Sequence, residues 1–335
     1  MQHSISVVIP VYRGATTLDS LLGELAPLLD PFTTAAGHRA VLHEVLLVHD
    51  CGPDDSDAVI RRLADTHPWV KPVWLSRNFG QHPATLAGMA CSGGDWVVTM
   101  DEDGQHDPAD IAGMLDVALA ERSDLVYASP LNPPPHGAFR NVSSRLAKRS
   151  LKWLTGNAEA PSFNSFRFVL GDLARSVAAY AGSGVYLDVA LGWVARSPAT
   201  APVTLREEGD RPSGYRLRTL MSHYWRMVIT GGTRLLRLVS LAGVALAVGG
   251  FLLALYIVGL RVFGDVAVAG WASVSVITLI GVGSTLFALG VVAEYIGVAV
   301  NMAMGKPPYL IVSDRAQGPL GATTPAADPP GGDSA

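Results

Sequence analysis

The pattern of apolar and polar positions changes about two thirds of the way along the chain. In the first part, short apolar runs rich in β-branched residues alternate with stretches whose apolar positions recur at the helical period of about 3.6 residues. In the last third, two long apolar stretches contain no Asp, Glu, Lys or Arg: Leu238–Leu260 and Val266–Ala293. Because about 20 apolar residues cross a bilayer as a helix, the pattern predicts an α/β domain followed by two membrane spans.

The apolar runs of the first part predict the strands of a parallel sheet. Ser4–Val11 is almost continuously apolar, which is typical of a strand buried on both faces. Further strands are predicted at His43–Val48, Val70–Leu75 and Trp96–Met100. Helical periodicity lies between them, from Leu18 to Leu28, over Ser56–Asp65 and over Pro83–Ala90. This alternation favours βαβ units, in which ligands bind beyond the carboxyl ends of the strands.

The strongest chemical signal is the acidic segment after the fourth strand, Asp101-Glu-Asp-Gly-Gln105. The carboxylates of Asp101 and Asp103 and the carboxamide of Gln105 are the oxygen ligands that Mg²⁺ or Mn²⁺ prefers, usually together with substrate phosphates. A metal that bridges a diphosphate would neutralise charge on a nucleoside-diphosphate leaving group. The alternative is a solvated acidic loop in which Asp107 or Asp110 caps the next helix.

Charges beside the apolar stretches predict the orientation in the membrane. The connecting loop, Arg261–Asp265, holds one Arg and one Asp, whereas five Arg residues precede the first stretch: Arg216, Arg218, Arg226, Arg234 and Arg237. The positive-inside tendency places the N-terminal domain and both termini in the cytoplasm. We therefore expect a protein of the cytoplasmic (inner) membrane with two spans, in contact with the lipid bilayer.

Composition narrows the function classes. The net charge of −4 gives no basic field, so no nucleic-acid partner is expected. Cys51 and Cys91 form no metal-type cluster and are expected to be free thiols. No basic segment precedes the apolar run at Ile5, so no signal peptide is predicted.

The chain divides into four predicted parts. They are a cytoplasmic domain (1–213), a juxtamembrane amphipathic helix (214–234), a transmembrane hairpin (235–300) and a largely disordered tail (301–335). Two basic amphipathic segments, 139–154 and 215–229, predict helices in the headgroup plane, and ordinary packing against the sheet is the alternative. Candidate contacts for an acceptor phosphate in the first of these are Arg140, Arg145 and Lys148.

Taken together, Val8-Ile-Pro-Val-Tyr12, the acidic segment and the two spans resemble the inverting GT-A glycosyltransferases of family 2. More narrowly, they resemble polyprenyl-phosphate glycosyltransferases of the dolichyl-phosphate mannose synthase-like and undecaprenyl-phosphate aminoarabinose transferase-like groups. Ser76–Gly88 and Glu294-Tyr-Ile-Gly297 are close to the bacterial branch. The resemblance implies a GT-A (Rossmann-like) domain, interfacial amphipathic helices and two transmembrane helices. It also implies metal-dependent transfer of a sugar from a UDP- or GDP-type donor to polyprenyl (undecaprenyl) phosphate.

The resemblance assigns roles to individual residues. Pro10 and Tyr12 would line the nucleotide cleft, and Asp50 would contact the base. Arg206 matches the Arg of a late R-x-x-G motif that is associated with phosphate binding, and its alternative is a surface salt bridge with Glu207 or Asp210. The donor-binding set is Pro10, Tyr12, Asp50, Arg77 and Asp101. The metal set is Asp101, Asp103 and Gln105, and the catalytic set is Asp101, Asp103 and Arg206.

Departures from the family pattern bear on the acceptor. Relatives commonly carry an Asp that is proposed as catalytic base where this chain has Ser162 and Ser165. General-base assistance contributes about 10²–10⁴-fold, which a hydroxyl acceptor needs. A phosphate monoester, whose second pKa is about 6, is already dianionic at neutral pH. The missing Asp therefore favours a lipid phosphate, although a degenerate enzyme also fits it.

Two other functions stay open. One is the same enzyme class with another acceptor, such as a lipid alcohol or a growing polysaccharide, although the Gln-x-x-Arg-Trp motif of processive synthases is absent. The other is a non-catalytic, membrane-anchored scaffold that binds nucleotide, for which the substitutions at His49, Cys51, Ser162 and Ser165 leave room. The donor sugar and the oligomeric state, for which a homo-oligomer is an option, are not specified by the sequence.

Overall fold

The computed structural model describes residues 1–131, 164–206, 224–225, 228–229, 232–263 and 270–317. The strands are β1 (Gln2–Val11), β2 (Phe32–Thr33), β3 (Arg39–His49), β4 (Val70–Leu75), β5 (Trp96–Thr99), β6 (Leu125–Pro130), β7 (Arg167–Leu170), β8 (Pro198–Val203) and β9 (Ile311–Val312). The helices are α1 (Leu18–Leu25), α2 (Ser56–Thr66), α3 (Gln81–Cys91), α4 (Asp110–Glu121), α5 (Gly171–Tyr180), α6 (Leu187–Val194), α7 (Arg234–Phe263) and α8 (Trp271–Ala303). A short 3-10 helix, Ala26–Leu29, extends α1.

The strands form one mixed sheet in the order β8-β6-β7-β5-β1-β3-β4-β9, with β2 paired to β3. β1 runs parallel to both β3 and β5, and β3 runs parallel to β4. The carboxyl ends of these four strands therefore meet at one rim, and the strand order reverses between β1 and β5. The predicted α/β fold of the GT-A type is confirmed.

The two faces of β1 are covered by different helices. Val7 and Ile9 belong to one buried apolar cluster, which also contains side chains of α1 and α4. Val8 points to the opposite face, into a second cluster with side chains of α3 and α5. Close packing fixes α3 there, because a Cβ atom at Gly88 would lie 2.3 Å from Val8 Cγ1. This packing places the N-terminus of α3 at the rim.

A buried ion pair joins β7 to α6. Arg167 donates to Asp188 through Nε at 2.6 Å and through Nη2 at 2.8 Å, and both side chains are buried. Arg167 Nη1 also donates to Thr99 Oγ1 and to the carbonyl oxygen of Ser165. These hydrogen bonds hold the start of β7 and the preceding Ser165 against the end of β5.

The two apolar stretches form long helices. α7 and α8 contain segments long and apolar enough to cross a membrane, Arg234–Leu253 and Ile280–Ala303. Large apolar side chains such as Phe251 and Phe287 are exposed on them. This arrangement is consistent with the two predicted transmembrane helices, although α8 ends ten residues later than the predicted Val266–Ala293 stretch.

The segment after α8 returns to the sheet, which corrects the prediction of a largely disordered tail for its first part. β9 pairs antiparallel with β4, and the N–H of Ser76 donates to the carbonyl oxygen of Leu310. Asp314 accepts two hydrogen bonds from Arg61, at 2.7 Å from Nε and 3.0 Å from Nη2. Residues 301–317 are therefore part of the domain, and residues 318–335 lie outside the described residues.

We expect Arg61→Leu to release this segment. Loss of the guanidinium would leave the buried carboxylate of Asp314 without its charged partner, at a cost of about 1.5–3 kcal/mol. Arg62→Leu is the matched control, because its ion pair with Asp19 is more than half exposed and such pairs contribute about 0–1 kcal/mol. Hydrogen exchange of the amides around β9 measures the effect, and equal protection in the two variants would contradict the expectation.

Candidate active site

The loops that follow β1 and β5 are joined by the carboxylate of Glu102. The backbone N–H groups of Tyr12 and Arg13 donate to its Oε2 and Oε1 atoms, each at 2.9 Å. Burial raises the pKa of Glu102 to about 6, and the two amide hydrogen bonds oppose that shift. The contact lies where the strand order reverses, which is the usual ligand position in open α/β sheets. Glu102 thus fixes the loop of Tyr12, whose side chain is exposed at the rim.

The turn after β3 packs closely against the same loop. Cys51 has a φ of 50°, and a Cβ atom at Gly52 would lie 1.6 Å from the carbonyl oxygen of Tyr12. A side chain at position 52 therefore requires the backbone to move. Gly52 lets the loops that follow β1 and β3 meet.

Gly52→Ala is expected to displace the Tyr12 loop and to weaken nucleoside-diphosphate binding by at least about tenfold, because misplacing binding groups by about 1 Å can cost about 10²-fold. Calorimetric titration with UDP and GDP measures the change. Gly113→Ala is the control, since nothing lies within 4 Å of the Cβ atom that it would add. Unchanged affinity in Gly52→Ala would show that this loop does not contribute to the nucleotide site.

Asp50, the predicted base contact, directly follows β3 and holds a neighbouring loop. Its side chain is only 3% exposed. Its Oδ1 accepts the N–H of Phe79 at 2.7 Å, and its Oδ2 accepts the N–H of Gly80 at 2.8 Å. Burial raises the pKa of Asp50, and these hydrogen bonds oppose the shift. The buried carboxylate holds the loop after β4, which presents the exposed Arg77 at the rim.

Asp101 lies where three elements meet. Gln81, at the N-terminus of α3, donates from Nε2 to Oδ1 at 2.6 Å, and the hydroxyl of Ser165 donates to Oδ2 at 2.7 Å. The N–H of Asp101 donates to Nδ1 of His106 at 3.1 Å. Burial lowers the pKa of His106, which favours the neutral ring that this bond requires. Asp101, the predicted metal ligand, is therefore held by Gln81 of α3, by His106 in the loop after β5 and by Ser165.

Arg206 is linked to the rest of the acidic loop. Asp103 Oδ1 accepts the N–H of Gln105, and the carbonyl oxygen of Gln105 accepts the N–H of Arg206, each at 3.1 Å. The Arg206 guanidinium pairs with Asp107 at 2.9 Å and with Glu24 at 2.5 Å. The structure thus brings Arg206 beside the predicted metal residues, while its alternative partners lie outside the described residues.

The acidic loop fits a divalent cation of the Mg²⁺ or Mn²⁺ type by its donor set. Asp101 and Asp103 offer carboxylate oxygens, which are the ligands these cations prefer, and substrate phosphates and water commonly complete the shell. In the described part of the chain, no group of three or more His, Cys, Asp and Glu side chains is placed to hold a metal ion. The oxygen donors that this loop offers are the two aspartates, with Gln105 adjacent.

The remaining predicted site residues lie either at the rim of the sheet or outside the described residues. Pro10, Tyr12 and Arg77 all lie at the carboxyl rim of the sheet, together with Asp101. Outside the described residues lie Arg140, Arg145, Lys148 and Ser162. Glu102 has no predicted role, although it stands inside the acidic motif, and no sequence signal indicates that Gln81 contacts Asp101.

The family model of glycosyl transferase family 2 matches residues 6–172, which include β1, the acidic loop and β7. The chain belongs to glycosyl transferase family 2. It is therefore a glycosyltransferase, and the resemblance read from its motifs is confirmed.

Curated relatives match this transferase over nearly its whole length. The undecaprenyl-phosphate 4-deoxy-4-formamido-L-arabinose transferase of Sodalis glossinidius is 29% identical over 322 residues, which cover 94% of this chain and 95% of that protein. The protein of the same name from Klebsiella pneumoniae is 29% identical and covers 92% of each chain. Both alignments are long enough to include the two apolar helices as well as the sheet.

Solved structures are similar to part of the chain. The glucosyl-3-phosphoglycerate synthase of Mycobacterium tuberculosis, in complex with Mn²⁺, UDP-glucose and phosphoglyceric acid, aligns with a TM-score of 0.46 at 18% identity. That alignment covers 69% of this transferase and 79% of the synthase. TarS of S. aureus, in complex with UDP-GlcNAc, aligns with a TM-score of 0.45 at 16% identity, over 68% of this chain and 66% of the TarS chain.

Proposed function

We propose that this glycosyltransferase moves one sugar from a nucleotide-sugar donor to undecaprenyl phosphate, with inversion at the anomeric carbon. The observation that carries the proposal is the extent of the match to the curated relatives, which are named for this acceptor. The match runs through the sheet and through both apolar helices. A site at the rim of the sheet, on a chain that carries two membrane helices, is suited to an acceptor whose tail lies in the bilayer.

The reaction needs no proton transfer from the acceptor. A dianionic phosphate oxygen attacks the anomeric carbon and forms the new C–O bond, while the bond from that carbon to the diphosphate oxygen breaks. The nucleoside diphosphate leaves with the bonding electron pair. Because the lipid phosphate is dianionic at neutral pH, Ser165 in place of an Asp is compatible with this chemistry.

Contacts among the described residues fix the loops of the proposed donor site. Glu102 fixes the Tyr12 loop, and the buried Asp50 fixes the loop after β4, so that two carboxylates hold the walls of the nucleotide cleft. Asp101 and Asp103 would hold Mg²⁺ or Mn²⁺. Bound there, the cation would supply positive charge to the leaving diphosphate. Arg206, beside the same loop, would contribute its guanidinium to phosphate oxygens by exchanging its surface ion pairs.

The proposed location is the cytoplasmic face of the bacterial inner membrane, with α7 and α8 as the two spans. The cluster of Arg residues before α7 supports this orientation, because such clusters remain on the cytoplasmic side. The lipid-linked sugar would then serve modification of cell-envelope glycans. A homo-oligomeric assembly is compatible with this arrangement.

A radiolabel transfer assay tests the proposal. Purified protein in detergent is given Mg²⁺ or Mn²⁺, undecaprenyl phosphate and one labelled donor at a time, from a panel of UDP- and GDP-sugars that includes nucleotide-linked 4-deoxy-4-formamido-L-arabinose. We expect label to enter the organic phase with one donor and to be lost with EDTA. Transfer to a lipid alcohol but not to undecaprenyl phosphate would show that the acceptor is the alcohol. Absence of label with every donor and acceptor would overturn the proposal.

A further inference from the structure

A cavity of about 760 Å³ lies between the sheet domain and the end of α8. Its walls come from the loop after β4 and the start of α3, from residues 182–186, and from α8 with the segment that follows it. Contact between these walls is close, because a Cβ atom at Gly182 would lie 3.1 Å from Met302 Cγ. The volume is within the range of small-molecule sites.

One end of this cavity reaches the acidic loop. Gln81 lines the cavity, and its Nε2 atom donates to Asp101. His82 and Tyr186 form a second wall at this end, with ring centroids 3.9 Å apart. A group held there is one side chain away from the carboxylate that we assign to the metal–diphosphate unit.

The other end of the cavity is formed by α8. Val298 and Asn301 line it near the C-terminal end of the apolar helix, and Trp225 closes it from the juxtamembrane segment. The exposed apolar side chains of α8 continue from this point along the helix. The cavity therefore connects the surface that faces the bilayer with the acidic loop.

The charges around the cavity are arranged for an anion. Arg77 and Lys306 both line it, and neither forms an ion pair with the residues that the structure describes. The N-terminus of α3 adds partial positive charge on the same side. Glu294 on α8 is the carboxylate in the lining, so the two positively charged side chains outnumber it.

We propose that this cavity receives the phosphate monoester head of the isoprenoid lipid acceptor, with Lys306 and Arg77 as its phosphate contacts and α8 as the guide for the first isoprene units. This inference rests on the proposed function. It deepens that function by assigning the acceptor to residues other than the Arg140, Arg145 and Lys148 set, and it moves Arg77 from the predicted donor-binding set to the acceptor. An anionic phospholipid headgroup has the same charge chemistry, so the experiment must separate the two lipids.

Lys306→Glu is expected to raise the KM for undecaprenyl phosphate by at least about tenfold, since a hydrogen bond between charged groups is replaced by repulsion. The KM for the nucleotide sugar is expected to stay within about twofold, and Lys306→Arg is expected to restore most of the acceptor affinity. Lys71→Glu is the matched control, because it makes the same charge change on an exposed lysine near the opposite end of β4. The proposal would be overturned if the KM for the acceptor were equal in Lys306→Glu and Lys71→Glu. It would also be overturned if Lys306→Glu raised the KM for the acceptor and the KM for the nucleotide sugar by the same factor.

Direct binding distinguishes failure of this inference from failure of the proposed function. Native mass spectrometry counts undecaprenyl phosphate bound to the wild-type protein and to Lys306→Glu, whether or not a donor sugar has been found. Reduced binding to the variant supports the cavity even if the transfer assay fails. Displacement of undecaprenyl phosphate by an equal amount of phosphatidylglycerol would instead assign the cavity to bilayer phospholipid and overturn the proposal.

Discussion

Asp101→Asn will reduce sugar transfer by about 10²–10³-fold, the typical cost of removing a group that stabilises charge in a transition state. The substitution keeps the side-chain volume but removes the negative charge that would hold the metal–diphosphate unit. The amide NH₂ of the new Asn would also face either Gln81 or Ser165, both of which donate hydrogen bonds to Asp101 in the native protein. The measurement is kcat/KM in the transfer assay, repeated over a Mn²⁺ titration.

Asp65→Asn is the control for this experiment, because Asp65 is exposed on α2 and lies away from the rim. It should retain wild-type activity. If Asp101→Asn keeps its thermal stability and still transfers sugar at the wild-type rate, Asp101 has no part in the chemistry and the assignment of the acidic loop fails.

Removing either partner of the buried Arg167–Asp188 pair will destabilise the protein by about 3–5 kcal/mol, because the remaining charge would be buried without compensation. Arg167→Met also removes the hydrogen bonds to Thr99 and to the carbonyl oxygen of Ser165. Thermal unfolding of the detergent-solubilised protein measures the loss.

The double variant Arg167→Met, Asp188→Leu will be more stable than either single variant, since replacing both charges by apolar side chains of similar size is often close to neutral. A double variant as unstable as the sum of the two single changes would indicate that the pair is not the source of the effect. The exposed Arg62–Asp19 pair offers the contrasting case, for which a change of at most about 1 kcal/mol is expected.

The sheet could be predicted because its central strands are short apolar runs between turn residues. Val70–Leu75 was predicted at its observed bounds, and Trp96–Met100 differs by one residue. The predicted charge-free stretch ends before Glu294, whereas α8 continues through that residue to Ala303, because one carboxylate does not interrupt the backbone hydrogen bonds of a helix.

The site could be predicted only in part. Strand ends and the acidic motif located Asp101 and the rim, because both signals are local in the sequence. The roles of Asp50 and Glu102 are not local: Glu102 accepts amides 89 and 90 positions away, and Asp50 accepts amides 29 and 30 positions away. Sequence pattern does not reveal which carboxylate turns toward such distant backbone groups. β9, with two residues, is too short to produce a periodic signal.

The return of the chain to β4 constrains the order of events during biosynthesis. Asp314 lies 253 positions beyond its partner Arg61, so the last strand of the sheet leaves the ribosome only after both apolar helices have been made. Until then, the edge of β4 presents unpaired backbone groups, which are a template for pairing with other chains. Synthesis of both apolar helices thus precedes completion of the sheet. A nascent chain arrested between the two helices would carry an open sheet edge beside the loop that follows β4.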